Sequence, residues 1–134
     1  MTSPDIFHVD DDPDFAFFME NAVREVDKKL TIKIVTNGKE ALQYLKLLES
    51  SNCRPRVILL DYNLPGLSGV DVLVKIREIR FLANVPVIIL STSDNPEHKE
   101  NTRLLDAESF QTKPMGYKAL VDKIKIICDA WCTD

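Results

Sequence analysis

The sequence is short of several features that define other classes of protein. Its 134 residues contain no apolar run near the roughly 18 residues of a membrane span. The first residues lack the basic and apolar regions of a signal peptide. The three cysteines are few and odd in number, which fits a reducing compartment better than a disulfide framework. We therefore expect a cytoplasmic protein without membrane insertion.

Positive charge is also in short supply. The chain has 17 Lys and Arg against 21 Asp and Glu, a net charge of −4. This balance argues against a nucleic-acid partner and against binding to anionic membranes. The remaining composition, 45% apolar and 28% charged, is that of an ordinary globular domain. We expect residues 1–134 to form one domain, with no residues left for an output domain.

One stretch organises the chain, VILLDYNLPG at residues 57–66. Its four apolar residues are typical of a short strand buried on both faces. The run stops at Asp61, and the loop residues that follow end the strand. A single carboxylate therefore stands at the carboxyl end of a central strand, where ligands collect in open α/β sheets.

Strand-like and helix-like segments alternate along the rest of the chain. Asp12 followed by Pro13 predicts a helix start, because the carboxylate caps free N–H groups and proline fits the first turn. Ser68 is a second candidate cap. Five apolar runs predict strands at 6–9, 32–35, 57–60, 87–90 and 107–112. Five repeats of strand then helix predict an α/β fold with a parallel sheet covered on both faces.

The predicted helices differ in how much apolar surface they offer. Helical spacing predicts that the first helix buries Phe15, Phe18, Ala22 and Val26. The fourth helix, over residues 97–105, has only Leu104 and Leu105 to anchor it. Because most helix stability comes from packing an apolar face, we expect this helix to be the least firmly held.

Polar side chains follow four of the predicted strands. Along the chain they are Asp10, Asp11, Asp61, Ser91 and Lys113. Since parallel strands end at one edge of a sheet, we expect these groups around one crevice. Clustered carboxylates repel one another, and a hard cation such as Mg²⁺ relieves that repulsion. Asp61 would then be a nucleophile toward a phosphoryl group, assisted by Lys113 and Ser91.

Four motifs carry a resemblance over nearly the whole chain: VDDDP at 9–13, LDYNLPGLSG at 60–69, PVIILST at 86–92 and TKP at 112–114. Together and in this order they resemble a receiver domain of two-component signalling, similar to the single-domain chemotaxis response regulators. The resemblance implies a flavodoxin-like (βα)5 doubly wound parallel sheet with strand order 2-1-3-4-5.

The resemblance also implies a metal site and a phosphoryl acceptor. Asp61 matches the phospho-accepting aspartate. Asp11 matches the direct ligand of Mg²⁺ (or Mn²⁺), and Asp10 matches its neighbour that reaches the metal mainly through water. Asn63 matches the residue that contributes a backbone carbonyl.

Three further residues match positions that respond to phosphorylation. Ser91 matches the switch hydroxyl, and Lys113 matches the lysine that pairs with the acceptor and then with the phosphate. Phe110 matches the aromatic position that swings inward on activation. The peptide bond before Pro114 is implied to be cis. The implied partners are a sensor histidine kinase or histidine phosphotransfer protein, and a downstream protein target.

The chain departs from the family pattern at four positions. Thr92 stands where a small residue is usual, which leaves exchange rates open, and Phe110 lacks a hydroxyl. Asp106 stands at a common glycine position, where a left-handed conformation would strain it. His8 replaces an apolar residue in the first strand, and we expect a buried histidine with satisfied hydrogen bonds. We expect His98, in the fourth helix, to be solvated.

Two features of the last helix each allow two interpretations. Cys128 and Cys132 lie four residues apart, and with no other ligand pattern nearby, reduced thiols are favoured over a metal site. Ile126 falls off the inward stripe of the helix. Its exposure is compatible with an ordinary surface residue or with a partner surface, since the family docks partners on its fourth and fifth helices and fifth strand.

Three functions remain open from the sequence. The leading one is a phosphorelay switch with slow self-dephosphorylation and no other enzymatic activity. The second is a phosphohydrolase of the haloacid dehalogenase type, disfavoured because such enzymes need an aspartate where this chain has Asn63. The third is an unphosphorylated scaffold, disfavoured because every acidic and lysine position of the motif is present.

Overall fold

Five parallel strands form one sheet in the order β2-β1-β3-β4-β5. The computed structural model describes residues 2–92 and 95–133. The strands are β1 (Ile6–Val9), β2 (Ile32–Val35), β3 (Val57–Asp61), β4 (Val87–Ser91) and β5 (Ser109–Thr112). The predicted flavodoxin-like architecture is confirmed, with β5 starting two residues later than its apolar pattern suggested.

A helix follows each strand. The helices are α1 (Pro13–Val26), α2 (Gly38–Ser50), α3 (Gly69–Glu78), α4 (Pro96–Leu104) and α5 (Tyr117–Trp131). A short 3-10 helix at Arg80–Leu82, absent from the sequence prediction, precedes β4. None of the helices in the described ranges combines the length and apolar character needed to cross a membrane.

The side-chain caps predicted from the sequence fix where α1 and α3 begin. The Asp12 carboxylate accepts hydrogen bonds from the N–H groups of Asp14 and Phe15 at 3.0 and 3.3 Å. At α3, Ser68 and Asp71 each accept from the other's backbone N–H at 3.2 Å, a reciprocal capping box. Both predicted caps are confirmed, and each places a helix directly after a loop at the carboxyl edge of the sheet.

The core has two layers, one on each face of the sheet. Strands β3 and β4 are buried along their whole length, as their unbroken apolar runs predicted. On one face the sheet packs against α2 and α3, and on the other it packs against α1 and α5. The sheet is therefore held rigidly enough to position side chains at its edge.

The prediction of which α1 residues face the core is wrong in part. Ala22 is buried, but the helix also buries Met19 and Val23, while Phe18 is 47% exposed. The buried stripe is rotated because α1 packs against α5 as well as the sheet. Phe18 instead lies at the margin of that contact, with its ring 6.3 Å from the ring of Tyr117.

Two backbone expectations have opposite outcomes. Asp106 has a φ of 65°, so the left-handed conformation considered at this position does occur. No peptide bond in the described ranges is cis, so the bond before Pro114 is trans and the expectation of a cis bond is wrong.

Candidate functional site

The sequence-predicted site residues meet at the carboxyl edge of the sheet. Lys113 leaves the end of β5 and places its Nζ 2.9 Å from Asp10 Oδ2 and 3.3 Å from Asp61 Oδ2. Asp10 is fully buried and Asp61 is 4% exposed. One ammonium therefore bridges two buried carboxylates that follow neighbouring strands, β1 and β3.

Three carboxylates at this edge are placed to share a cation. One oxygen each from Asp10, Asp11 and Asp61 lies within 4.8 Å of the others, and Asp11 is exposed to solvent. Carboxylate oxygens in such a cluster are hard ligands that suit Mg²⁺ or Mn²⁺. Asn63 stands beside them, its N–H donating to Asp61 Oδ1 at 3.1 Å. The residues present fit the metal site implied by the sequence.

The two buried carboxylates have opposite electrostatic environments. Burial, reinforced by the charge of Asp10, raises the pKa of Asp61 from 3.8 to about 6. Burial also opposes ionisation of Asp10, but its contacts with His8, Lys113 and the Asp12 N–H outweigh that effect and lower the Asp10 pKa to about 2. The contacts with both carboxylates outweigh burial at Lys113 and raise its pKa. Asp10 is thus the firmly ionised member, and Asp61 is the one that an added cation affects most.

Ser91 and Phe110 lie on β4 and β5 beside this cluster. Ser91 is fully buried, and its carbonyl accepts a hydrogen bond from the Lys113 N–H at 2.7 Å. Phe110 is half-buried, with its ring 5.8 Å from that of Tyr62 in an edge-on arrangement. Ser91 therefore adjoins the cluster through its backbone contact with Lys113, whereas Phe110 contacts Tyr62, the residue after Asp61.

Tyr62 is a residue that sequence reasoning missed. Its ring stacks on His98 of α4, with centroids 4.3 Å apart and planes inclined by 20°. His98 is accordingly half-buried, and the expectation that it is solvated is wrong. The only sequence signal was the position of Tyr62 directly after Asp61. This stack connects the phospho-acceptor candidate to the fourth helix.

Two more contacts around Lys113 were also missed. The Phe15 ring lies 4.6 Å from Lys113 Nζ, a cation–π contact. His8 Nε2 lies 3.4 Å from Asp10 Oδ2, and neither nitrogen of the fully buried imidazole forms a well-aligned hydrogen bond within the described residues. The burial of His8 is confirmed, but its expected hydrogen-bond satisfaction is wrong. The alternation of side chains along a strand could have predicted the contact between His8 and Asp10, since residues two apart share a face.

This arrangement of strand order, acidic cluster and lysine agrees with a known family. The family model of the response regulator receiver domain matches residues 6–125. The chain belongs to the response regulator receiver domain family. Receiver domains are signalling domains of two-component systems, so the family resemblance seen in the motifs is confirmed.

Solved structures and curated relatives agree with this assignment. The receiver domain matches the phosphorylated cyanobacterial phytochrome response regulator RcpA with a TM-score of 0.87, at 29% identity over 98% of this chain and 95% of that one. The Mn²⁺-bound response regulator Rcp1 matches at a TM-score of 0.74, with 28% identity over 94% and 93%. The probable methanogenesis regulatory protein FilR2 of Methanothrix harundinacea is 29% identical over 94% of this chain and 82% of its own length. Two response regulators of Arabidopsis thaliana also match this chain. The chain covers 53% of the length of one and 64% of the length of the other.

Proposed function

We propose that this receiver domain is a phosphorylation-controlled switch in which Asp61 accepts a phosphoryl group. The donor is a phosphohistidine of a sensor histidine kinase or of a histidine phosphotransfer protein. The observation that carries the proposal is the meeting of Asp61 with Lys113 and two further carboxylates at one sheet edge. Membership of the family and the structural similarity to phosphorylated RcpA support it.

The transfer is a displacement at phosphorus. An oxygen of the ionised Asp61 forms a bond to phosphorus while the bond from phosphorus to the donor's imidazole nitrogen breaks, and the electron pair leaves with that nitrogen. Hydrolysis then returns the switch to its starting state. The oxygen of water forms a bond to phosphorus while the bond from phosphorus to the Asp61 oxygen breaks. Inorganic phosphate leaves, the protons of the water pass to phosphate and solvent, and the Asp61 carboxylate is restored. These are the only chemical steps that the proposal assigns to the domain.

The chain's own residues orient and neutralise the reacting group. Lys113, already 3.3 Å from Asp61 Oδ2, would pair with an oxygen of the transferred phosphoryl group. The Ser91 hydroxyl would donate to another. Asp10, Asp11, Asp61 and the Asn63 carbonyl would hold Mg²⁺ or Mn²⁺. When bound, the ion supplies positive charge that offsets repulsion among the carboxylates and on the phosphoryl oxygens.

The output is a change in the face formed by α4, β5 and α5. Charge added at Asp61 would bias Ser91, Phe110 and the stack of Tyr62 on His98 toward a second arrangement. This face exposes Leu104 and Ile126, at 68% and 70%, which gives a protein target apolar contacts. A cytoplasmic location belongs to the same proposal and is supported by three unbridged cysteines.

Intact mass spectrometry with a small phosphodonor tests the proposal directly. Wild-type protein and the Asp61→Asn variant are incubated with acetyl phosphate, with and without Mg²⁺. We expect the wild type to gain one phosphoryl group only when Mg²⁺ is present, and the variant to gain none. The variant keeps the size of the side chain, so it separates loss of the nucleophile from loss of the fold.

Two other results would favour the alternatives. A wild type that gains no adduct and does not bind beryllofluoride with Mg²⁺ would support the unphosphorylated scaffold. Rapid and repeated release of phosphate from added phosphate esters, abolished in Asp61→Asn, would support a hydrolase.

A further inference from the structure

His8 is a fully buried polar side chain within the apolar part of the sheet. It lies on β1 between Ile34 of β2 and Leu59 of β3 in the strand register. The Phe15 ring approaches it edge-on, with centroids 5.8 Å apart. An apolar residue would fill this position without the desolvation that an imidazole requires. We therefore expect the polar atoms of the imidazole to have a role that offsets this desolvation.

The one polar group that His8 approaches is Asp10, among the residues that the structure describes. Nε2 lies 3.4 Å from Asp10 Oδ2, which is long for a hydrogen bond and poorly aligned. The other oxygen, Asp10 Oδ1, is already engaged by the Asp12 N–H at 2.9 Å. Oδ2 has Lys113 Nζ at 2.9 Å as its charged partner. In this state Asp10 Oδ2 is ion-paired with Lys113 but has no well-aligned hydrogen bond within the described residues, and His8 stands close to it.

Lys113 also forms an ion pair with a second carboxylate. Its Nζ is also 3.3 Å from Asp61 Oδ2, the proposed phosphoryl acceptor. A phosphoryl group on Asp61 adds negative charge and acceptor oxygens on that side, which draws the ammonium away from Asp10. Asp10 Oδ2 is buried, so losing its partner would leave an uncompensated carboxylate oxygen in the interior.

We propose that His8 is a positioning residue that takes over Asp10 Oδ2 when Lys113 turns to the phosphoryl group. An imidazole with a proton on Nε2 donates it to Oδ2, and the 3.4 Å contact shortens into a hydrogen bond. Asp10 then keeps both its charge and its orientation toward the metal site while the lysine is engaged elsewhere. This inference rests on the proposed phosphorylation of Asp61.

Two substitutions at position 8 separate the hydrogen bond from packing. His8→Leu keeps an apolar side chain of similar size without a donor, whereas His8→Gln restores an N–H donor. Each is compared with wild type for the rate of phosphorylation by acetyl phosphate and for binding of beryllofluoride with Mg²⁺. We expect His8→Leu to lower both by about ten- to a hundredfold, the usual effect of removing a group that supports a metal ligand. We expect His8→Gln to recover most of the loss.

A spectroscopic measurement on wild-type protein does not depend on any variant folding. In nitrogen-15 NMR, the Nε2-bound proton of His8 is followed before and after addition of beryllofluoride and Mg²⁺. We expect slower exchange with water and a downfield shift in the bound state, as the contact with Asp10 shortens. An Nε2 signal unchanged by beryllofluoride would overturn the proposal, because a merely structural histidine is insensitive to the state of Asp61.

The outcomes also distinguish this inference from the function on which it rests. If wild type and His8→Leu are phosphorylated at equal rates, the role of His8 is wrong and the function of Asp61 stands. If wild type is not phosphorylated and does not bind beryllofluoride, both are wrong. Equal deficits in His8→Leu and His8→Gln would show that position 8 acts through packing, which also overturns the proposal.

Discussion

Helices α3 and α4 follow neighbouring strands at the same sheet edge, and they are nearly equal in length, at ten and nine residues. Helix α3 buries one face in the core through four residues: Gly69, Val72, Leu73 and Ile76. Over the described length of α4 only Thr102 is buried, and its hydroxyl donates to carbonyls of its own helix. Both helices have a side-chain cap at the start.

The difference between these helices shows that one element of a fold can contribute to stability while another remains free to move. Capping defines where each helix begins, but apolar burial decides how firmly each is held. Helix α3 is part of the core, so moving it exposes apolar surface to water. Helix α4 can shift with little such exposure, which suits the proposed response to charge added at Asp61.

The largest expected effect comes from one substitution made in both helices. Leu73→Ala removes a fully buried side chain, and we expect it to lower the free energy of unfolding by about 2–5 kcal/mol. Leu104→Ala changes a side chain that is 68% exposed, and we expect a change within about 0.5 kcal/mol. Urea unfolding followed by circular dichroism measures both. Equal losses would show that α4 is as firmly packed as α3.

A smaller loss of stability is expected where α3 contacts the end of β3. A Cβ on Gly69 would lie 2.4 Å from the Asp61 carbonyl oxygen and 2.8 Å from Tyr62 Cα. We expect Gly69→Ala to cost about 1–3 kcal/mol of stability, since backbone atoms must move. It would also slow phosphorylation, because those atoms carry Asp61. Urea unfolding and the acetyl phosphate assay measure the two effects.

Val70→Ala is the control for Gly69→Ala, because Val70 is the next residue of α3 and is only half-buried. We expect it to leave the phosphorylation rate unchanged. A Gly69→Ala protein that is phosphorylated as fast as wild type would mean that the start of α3 does not determine the position of Asp61.

The smallest expected effect is on α4 alone. His98→Ala removes the stack on Tyr62, and we expect a loss of about 0.5–1.5 kcal/mol. Because α4 has so little other anchorage, its amide protons would exchange faster while those of α3 stay unchanged. Hydrogen-exchange mass spectrometry resolves the two helices. Asn101→Ala, at an exposed position of α4, is the matched control, and an equal increase in both variants would contradict a specific role for the stack.

The fold was predictable where local chemistry and tertiary packing agree. The unbroken apolar run of β3 and the capping sequence at Asp12 and Pro13 each have one favourable structure, and both were predicted correctly. The shallow burial of α4 was also predictable, because a polar helix has little to bury. The edge cluster followed from the parallel direction of the strands, since Asp10, Asp61 and Lys113 each stand at the carboxyl end of a strand.

The misses share a physical cause, which is contact between elements distant in the chain. Phe18 has the helical spacing of a core residue, yet packing against α5 rotates α1 and leaves it half-exposed. His98 is a polar residue in a polar helix, so its sequence does not predict burial. Its partial burial depends on the ring of Tyr62, which follows β3. Local patterns do not record such partners.

The bridge from Lys113 to Asp10 and Asp61 joins β5 to β1 and β3, the last strand in the sequence to the first and the third. During synthesis the ammonium therefore emerges long after both carboxylates that it pairs. A nascent chain that has completed only its first four strands holds the acidic residues without their cation. The ion pairs that complete the edge cluster can therefore form only after the final strand has been synthesised.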